Sequence, residues 1–331
     1  MTAQKMRVRR AWPGSALLLT VTWALMTVAP VANATQARGG LITGPGGRLI
    51  PADPPPLETD LVLLTVSVTS KGIGVPGIAQ DRFQILEDGV EQKIAYYWVD
   101  TRPVSVGLVI DGSSAVDDLM NEAIRGAGPA FLKTKRPEDE YFVIVFSDSP
   151  SMVVTYTTDA KLMPRVFPQT GEEPLYDAIY NGLDAMKEAA NPRKVLLVIT
   201  AGGDNGKGQN QDQLVNYTIK QPVQVYSIDM GGASEPANVL ELLAGLTGGR
   251  ATLSGASSYA VEAMCAEMAQ ALKTQYLIGY RSTNTAKDGK RRGVKVKISS
   301  PAGSPKLTVW TKSGYYAAKE PKDKTTVVSV K

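Results

Sequence analysis

Three stretches of the sequence carry oxygen-bearing side chains of the kind that could hold a ligand. Asp111-Gly112-Ser113-Ser114-Ala115 follows the apolar run 104–110. Ala201-Gly202-Gly203-Asp204-Asn205 follows the apolar run 194–200, and Thr170-Gly171-Glu172-Glu173-Pro174 precedes an amphipathic stretch. Carboxylates and hydroxyls suit a hard cation such as Mg²⁺ or Ca²⁺, which accepts oxygen ligands in flexible geometries. Composition closes off other chemistries. The chain has no histidine and one cysteine, Cys265. Ser-His-Asp catalysis, Cys-His catalysis and soft-ligand zinc sites are therefore excluded. Glu172 and Glu173 have no neighbouring nucleophile or base, so hydrolase chemistry is only a remote alternative. The chain reads as a non-enzyme.

The elements that position these loops follow from apolar patterning. Near-continuous apolar runs at 104–110, 141–146, 194–200 and 223–228 predict buried strands, with shorter strands at 152–156 and 250–253. Helical periodicity predicts helices at 117–133, 175–190, 211–220, 239–246 and 259–273. This alternation predicts an α/β domain over 103–273: a doubly wound, mostly parallel sheet with helices on both faces. In such sheets ligands sit beyond the carboxyl ends of the strands. Two of the oxygen-rich loops follow such strands, and the third precedes a helix.

Outside that domain the pattern is β. Leu61 to Ser70 reads as a strand, and Asp88-Gly89 turns between two alternating runs, a hairpin signal. Alternating runs return at 275–280, 293–299 and 306–311. Residues 60–102 and 274–317 are therefore expected to form one accessory β-module that is discontinuous in sequence. Cys265 falls among Val261, Met264, Met268 and Leu272 at helical spacing, which predicts a buried small hydrophobe.

Taken together, these loops resemble the metal-ion-dependent adhesion site of von Willebrand factor A domains. That family places Asp-x-Ser-x-Ser after the first strand, a Thr before a later helix and an Asp after the fourth strand. Pro103 to Asp111, Leu175-Tyr176-Asp177-Ala178 and Gln275 to Tyr280 resemble a secreted bacterial subfamily. Phe83 to Gly89 and Gly314-Tyr315-Tyr316 fit it as well. The resemblance spans about residues 60–317 and implies a Rossmann-like fold and a role in adhesion or complex assembly.

The site departs from the family pattern. Asp111 and Ser113 match, but Ala115, Glu173 and Ala201 stand where the family has Ser, Thr and Asp. Methyl groups cannot coordinate a cation, so the adhesion site is expected to be degenerate. Asp111, Ser113 and Glu173 could instead form a rearranged Mg²⁺ or Ca²⁺ site. The plainer reading of Asp111 and Ser113 is a strand-end cap for nearby backbone donors. Ser114, Asp204 and Asn205 are expected to line the binding face, whose partner would be a protein or matrix component.

Two other segments carry less. Gly202 to Gly208 fails the phosphate-loop spacing, since Ala occupies position 201 and Lys207 is followed by Gly. The basic turn Lys287 to Arg292 reads as a solvated hairpin tip.

Residues 1–34 read as a secretory signal peptide: a basic start, an apolar run at 16–29 and a small-residue exit at Ala32-Asn33-Ala34. The expected location is therefore secreted or periplasmic, with membrane contact only if that segment stays as an anchor. Residues 35–59 are Gly- and Pro-rich and read as a linker, and 318–331 as a polar tail. The chain holds 36 Lys+Arg against 32 Asp+Glu, and the first 34 residues account for the difference of four. The remainder is balanced, which gives no argument for nucleic-acid binding.

Overall fold

The computed structural model describes residues 41–43, 49–51, 61–164, 170–231, 235–253, 257–300, 303 and 305–319. The signal segment 1–34, most of the linker 35–59 and the tail from residue 320 lie outside the described residues. The chain divides into two units, residues 1–55 and residues 56–331. In the first unit, strands Leu41–Thr43 and Leu49–Pro51 pair antiparallel with Ile42 opposite Ile50. Part of the expected linker is thus a short hairpin.

The second unit opens with β1 (Leu61–Ser70), β2 (Phe83–Glu87), β3 (Val90–Gln92) and β4 (Ile94–Val99). The chain then builds β5 (Val104–Asp111), α1 (Asp118–Leu132), β6 (Glu140–Phe146), β7 (Pro150–Thr157), α2 (Leu175–Ala185) and β8 (Arg193–Thr200). Next come α3 (Gln211–Thr218), β9 (Gln224–Asp229), α4 (Glu235–Thr247), β10 (Ala251–Leu253) and α5 (Ser258–Lys273). It closes with β11 (Tyr276–Arg281), β12 (Arg291–Ile298), β13 (Thr308–Trp310) and β14 (Gly314–Tyr316).

The central sheet runs β7-β6-β5-β8-β9-β10, parallel except for the β7 edge, which pairs antiparallel with β6. All eight residues of β5 are buried, because helices cover both faces of this strand. On one face Val106, Leu108 and Ile110 pack with Ile124 of α1 and with Val261 and Cys265 of α5. On the other, Val109 and Val198 pack with Ile179 of α2, Leu214 of α3 and Leu243 of α4. This is the doubly wound α/β fold. Cys265 is fully buried, and burial followed by the Glu262 charge pushes its thiol up to about 12, so it behaves as a small hydrophobe.

The flanking strands form a two-layered sandwich. One layer runs β13-β1-β11-β4 and the other β14-β12-β2-β3. Both mix strands from before and after the α/β domain: β11 pairs with β1 and β4, and β12 pairs with β2. Leu64, Val66, Ile85, Tyr276, Ile278 and Val296 fill the space between the layers. The alternating sequence pattern is the same for either face of a module, so it could not distinguish one layer from two.

A buried polar node joins sandwich to α/β domain. Arg193 at the start of β8 donates to Gln275 Oε1 at 2.7 Å, to Arg102 O at 2.9 Å and to Leu272 O. Gln275 Nε2 reaches Ser67 Oγ at 3.0 Å and Gln224 Oε1 at 2.9 Å. Asp100 sits 3.7 Å from Arg193 Nε and 2.7 Å from Arg102 Nη2. Burial pushes the Asp100 carboxyl up, but the Arg102 hydrogen bond and the charges of Arg193 and Arg102 outweigh it and hold it below its ordinary value. No described helix is long and apolar enough to cross a membrane.

Candidate functional site

The parallel sheet delivers its loops to one pole. β5 ends at Asp111 and β8 at Thr200, and β9 ends at Asp229. The loop before α2 folds over the same pole: Thr170 N donates to Gly112 O at 3.2 Å, and Ser114 Oγ to Gly171 O at 2.7 Å. Asp111, Ser113, Glu173 and Asp204 are therefore brought together across residues distant in sequence.

Asp111 is fully buried. Its Oδ1 accepts Ser113 N at 2.9 Å, and its Oδ2 accepts Thr200 Oγ1 at 3.0 Å and Ala201 N at 2.9 Å. These bonds tie the ends of β5 and β8 together and satisfy two turn donors, a cap for the strand ends. Ser113, also fully buried, directs its hydroxyl to Glu173 Oε1 at 3.5 Å, a long contact. Its side chain faces the pole rather than capping backbone.

Glu173 is half-buried and reaches inward over Gly203. A Cβ placed at Gly203 would lie 1.1 Å from Glu173 Oε2, so the glycine leaves the space that the carboxylate fills. Burial raises the Glu173 carboxyl above its ordinary value, and the charges of Asp111, Asp204 and Asp229 add to this against the Ser113 hydrogen bond. Asp204 is engaged elsewhere. Its Oδ1 accepts Tyr176 N at 2.9 Å in the first turn of α2, and its Oδ2 accepts Gly206 N at 3.0 Å. A carboxylate at this helix start satisfies an orphan donor and complements the helix dipole.

The outer rim is polar. Asn205 N donates to Glu173 O at 2.7 Å, and Asn205 Nδ2 to Glu172 Oε2 at 3.3 Å. Lys207 Nζ pairs with Glu172 at 2.6 Å, holding the exposed Glu172 carboxyl below its ordinary value. Ser114 and Ala115 are exposed, and Asn205 is half-buried. Thr200 and Asp229 were not among the residues singled out from sequence. Both close apolar strands, and extending the strand-end reading by one position at each would have found them.

Ala115 and Ala201 offer methyl groups, both Asp111 oxygens accept protein donors, and Asp204 caps α2. Among the described residues no group of three or more His, Cys, Asp or Glu side chains is placed to hold a metal ion. The pole is a network of internal hydrogen bonds under an exposed rim.

No protein-family model and no curated protein matches the chain. Solved structures do. The PilB minor pilin from Streptococcus sanguinis is similar at 10% identity and TM-score 0.39, over 53% of this chain and 62% of that one. The chain thus spans less than two thirds of that pilin. The vWF domain of the type V pili tip protein Mfa5 from Porphyromonas gingivalis is similar at 11% identity and TM-score 0.42, over 52% of this chain and 96% of that one. The conserved hypothetical protein BatB from Bacteroides thetaiotaomicron is similar at 16% identity and TM-score 0.39, over 51% and 99%. The α/β domain thus has the doubly wound, mostly parallel fold that the sequence resemblance to von Willebrand factor A domains implies, with its loops gathered around Asp111 and Ser113.

Proposed function

We propose that this chain is an extracytoplasmic, non-enzymatic interaction module. Its α/β domain takes a partner protein or matrix component at the carboxyl-end loops, without a bound metal. The single observation that carries this reading is the state of Asp111. Its carboxylate is buried and holds Ser113 N, Thr200 Oγ1 and Ala201 N, so it serves the fold. The exposed rim, Ser114 with Asn205 and Glu172 beside it, is what remains for a partner. The extracytoplasmic location rests on the basic-then-apolar segment at the N-terminus. The absence of histidine, which removes Ser-His and Cys-His catalysis, supports a binding role over catalysis.

The test is a cross-linking capture from the extracytoplasmic fraction, comparing the native chain with Ser114→Arg. Ser114 is exposed, so the variant places a bulky cation on the rim; it gives up the hydroxyl bond to Gly171 O, and a circular dichroism melt checks that it is folded. Specific loss of the captured partner is expected. Equal capture by both proteins would move the binding face elsewhere.

A further inference from the structure

Charge is divided unevenly within the folded unit. Residues 61–102 and 275–319, which build the sandwich, hold 14 Lys+Arg against 6 Asp+Glu. Residues 103–274, the α/β domain, hold 13 against 21. The two parts carry formal charges of +8 and −8, hidden by the near-neutral total.

The positive excess is concentrated on one sheet face. Along β12, Arg292, Val294 and Val296 are buried, while Arg291, Lys295 and Lys297 are exposed on the outer face. Strand rise puts Arg291 and Lys297 about 20 Å apart, so the three form a line. Lys287, Lys290 and Lys319 are exposed at the Arg291 end, where the backbones of residues 288 and 319 pair antiparallel, and exposed Tyr316 lies opposite Arg291. The nearby acids are Asp288, which pairs with Arg292 Nη2 at 3.0 Å, Asp88, which accepts Gly293 N at 2.7 Å, and Glu91, which accepts Gln84 Nε2 at 2.9 Å. Arg291 donates to Ser313 O and Oγ at 3.0 and 2.8 Å. None of Arg291, Lys295 and Lys297 is in an ion pair among the described residues. Such a row attracts an anionic surface.

The chain itself supplies a surface of matching charge. Acids of the α/β domain are spread over its exterior: Asp118, Glu122, Asp148, Asp212 and Glu241 are all exposed. We propose that the outer β12 face of the sandwich is a docking surface for the acidic α/β domain of a second copy of this chain. The two copies use different faces, so the association is heterologous, and a third copy can add in the same way. This inference goes beyond the binding role proposed above and does not depend on which partner the carboxyl-end loops take.

Sedimentation velocity on the purified protein tests it. At low ionic strength, about 20 mM, the native chain is expected to form concentration-dependent species larger than a dimer. These should dissolve at about 500 mM, where the screening length falls to a few ångström. The triple variant Arg291→Glu/Lys295→Glu/Lys297→Glu should lose at least about tenfold in apparent association. Mixed with the native chain, the variant should shorten its assemblies. It keeps an acidic domain that can dock, but it offers no basic face to the next copy. Lys295→Arg/Lys297→Arg should assemble as the native chain does, and a circular dichroism melt checks that each variant is folded. A native chain that stays monomeric at low ionic strength, or a triple variant that assembles normally, would overturn the proposal. So would a monomeric native chain held on a sulfated-polysaccharide column through these same residues, because the row would then belong to an external polyanion.

Discussion

Gly203 lies directly beneath the Glu173 carboxylate, so closely that a methyl group at position 203 would occupy the place of Glu173 Oε2. Two residues thirty positions apart thus share one volume at the pole of the domain. Gly203→Ala must expel the Glu173 side chain. The expected cost is on the order of 1 kcal/mol, with most of it absent in a Glu173→Ala background. Denaturant unfolding of the four proteins of this cycle measures the coupling. Additive effects would mean that the two sites do not share the space.

Glu173 also predicts a pH dependence. Its carboxyl is raised by burial and by the acids around it, so the folded state holds its proton more tightly than the unfolded chain does. The ionised side chain therefore disfavours folding. Its contribution is most favourable below the ordinary value of 4.5 and is lost as pH rises through the elevated folded value. Glu173→Gln should be the more stable protein at pH 7, by about 1 kcal/mol or less given its partial exposure. The advantage should fade as the solution is acidified past that range. Melting curves at pH 4 and pH 7 decide it, and a Gln variant equally advantaged at both would sink the assignment.

Much of the pole was legible because one rule suffices: the loop at the carboxyl end of a buried parallel strand faces the ligand pole. That rule brought together Asp111, Ser113 and Asp204, whereas Glu173, in the loop between the antiparallel β7 and α2, was reached through the resemblance to the family's Thr position. It did not reveal what each carboxylate does there. Asp204 caps α2 and Asp111 joins two strand ends, and such hydrogen bonds between distant segments leave no local pattern. Gly203 was invisible as a cradle for the same reason. Helix ends were displaced where apolar periodicity and helical backbone part company. α4 begins at Glu235, ahead of Val239, with Pro236 tolerated in its first turn. α2 stops at Ala185, although the amphipathic pattern continues to buried Met186 and Ala189, because Asn191-Pro192 turns the chain into β8.

The polar node between sandwich and α/β domain predicts a second titration of opposite sign. Asp100 is held below its ordinary value of 3.8 by Arg102 and Arg193. Its contribution is present above that value and is lost as pH falls through the depressed folded value. Asp100→Asn leaves Arg193 buried without its anion and should cost about 2–4 kcal/mol at pH 7. The deficit should shrink below pH of about 3, where the native carboxyl is also protonated. Urea midpoints across pH check this, and a deficit that does not vary with pH would contradict the ion-pair assignment.

The donor set at the pole predicts weak affinity for divalent ions. Calorimetric titration with Mg²⁺ or Ca²⁺ should show no saturable binding up to about 1 mM, since only a few oxygens are left for ions that want six or more. A saturable isotherm abolished by Asp111→Ala and by Glu173→Gln would establish the rearranged site instead.

The central claim, that the carboxyl-end loops bind without a metal, is tested most directly by partner capture with and without a chelator. Cross-linked yield from the extracytoplasmic fraction should be unchanged by excess EDTA and should fall in Ser114→Arg under both conditions. Capture that disappears with EDTA and returns on adding Mg²⁺ or Ca²⁺ would contradict the account.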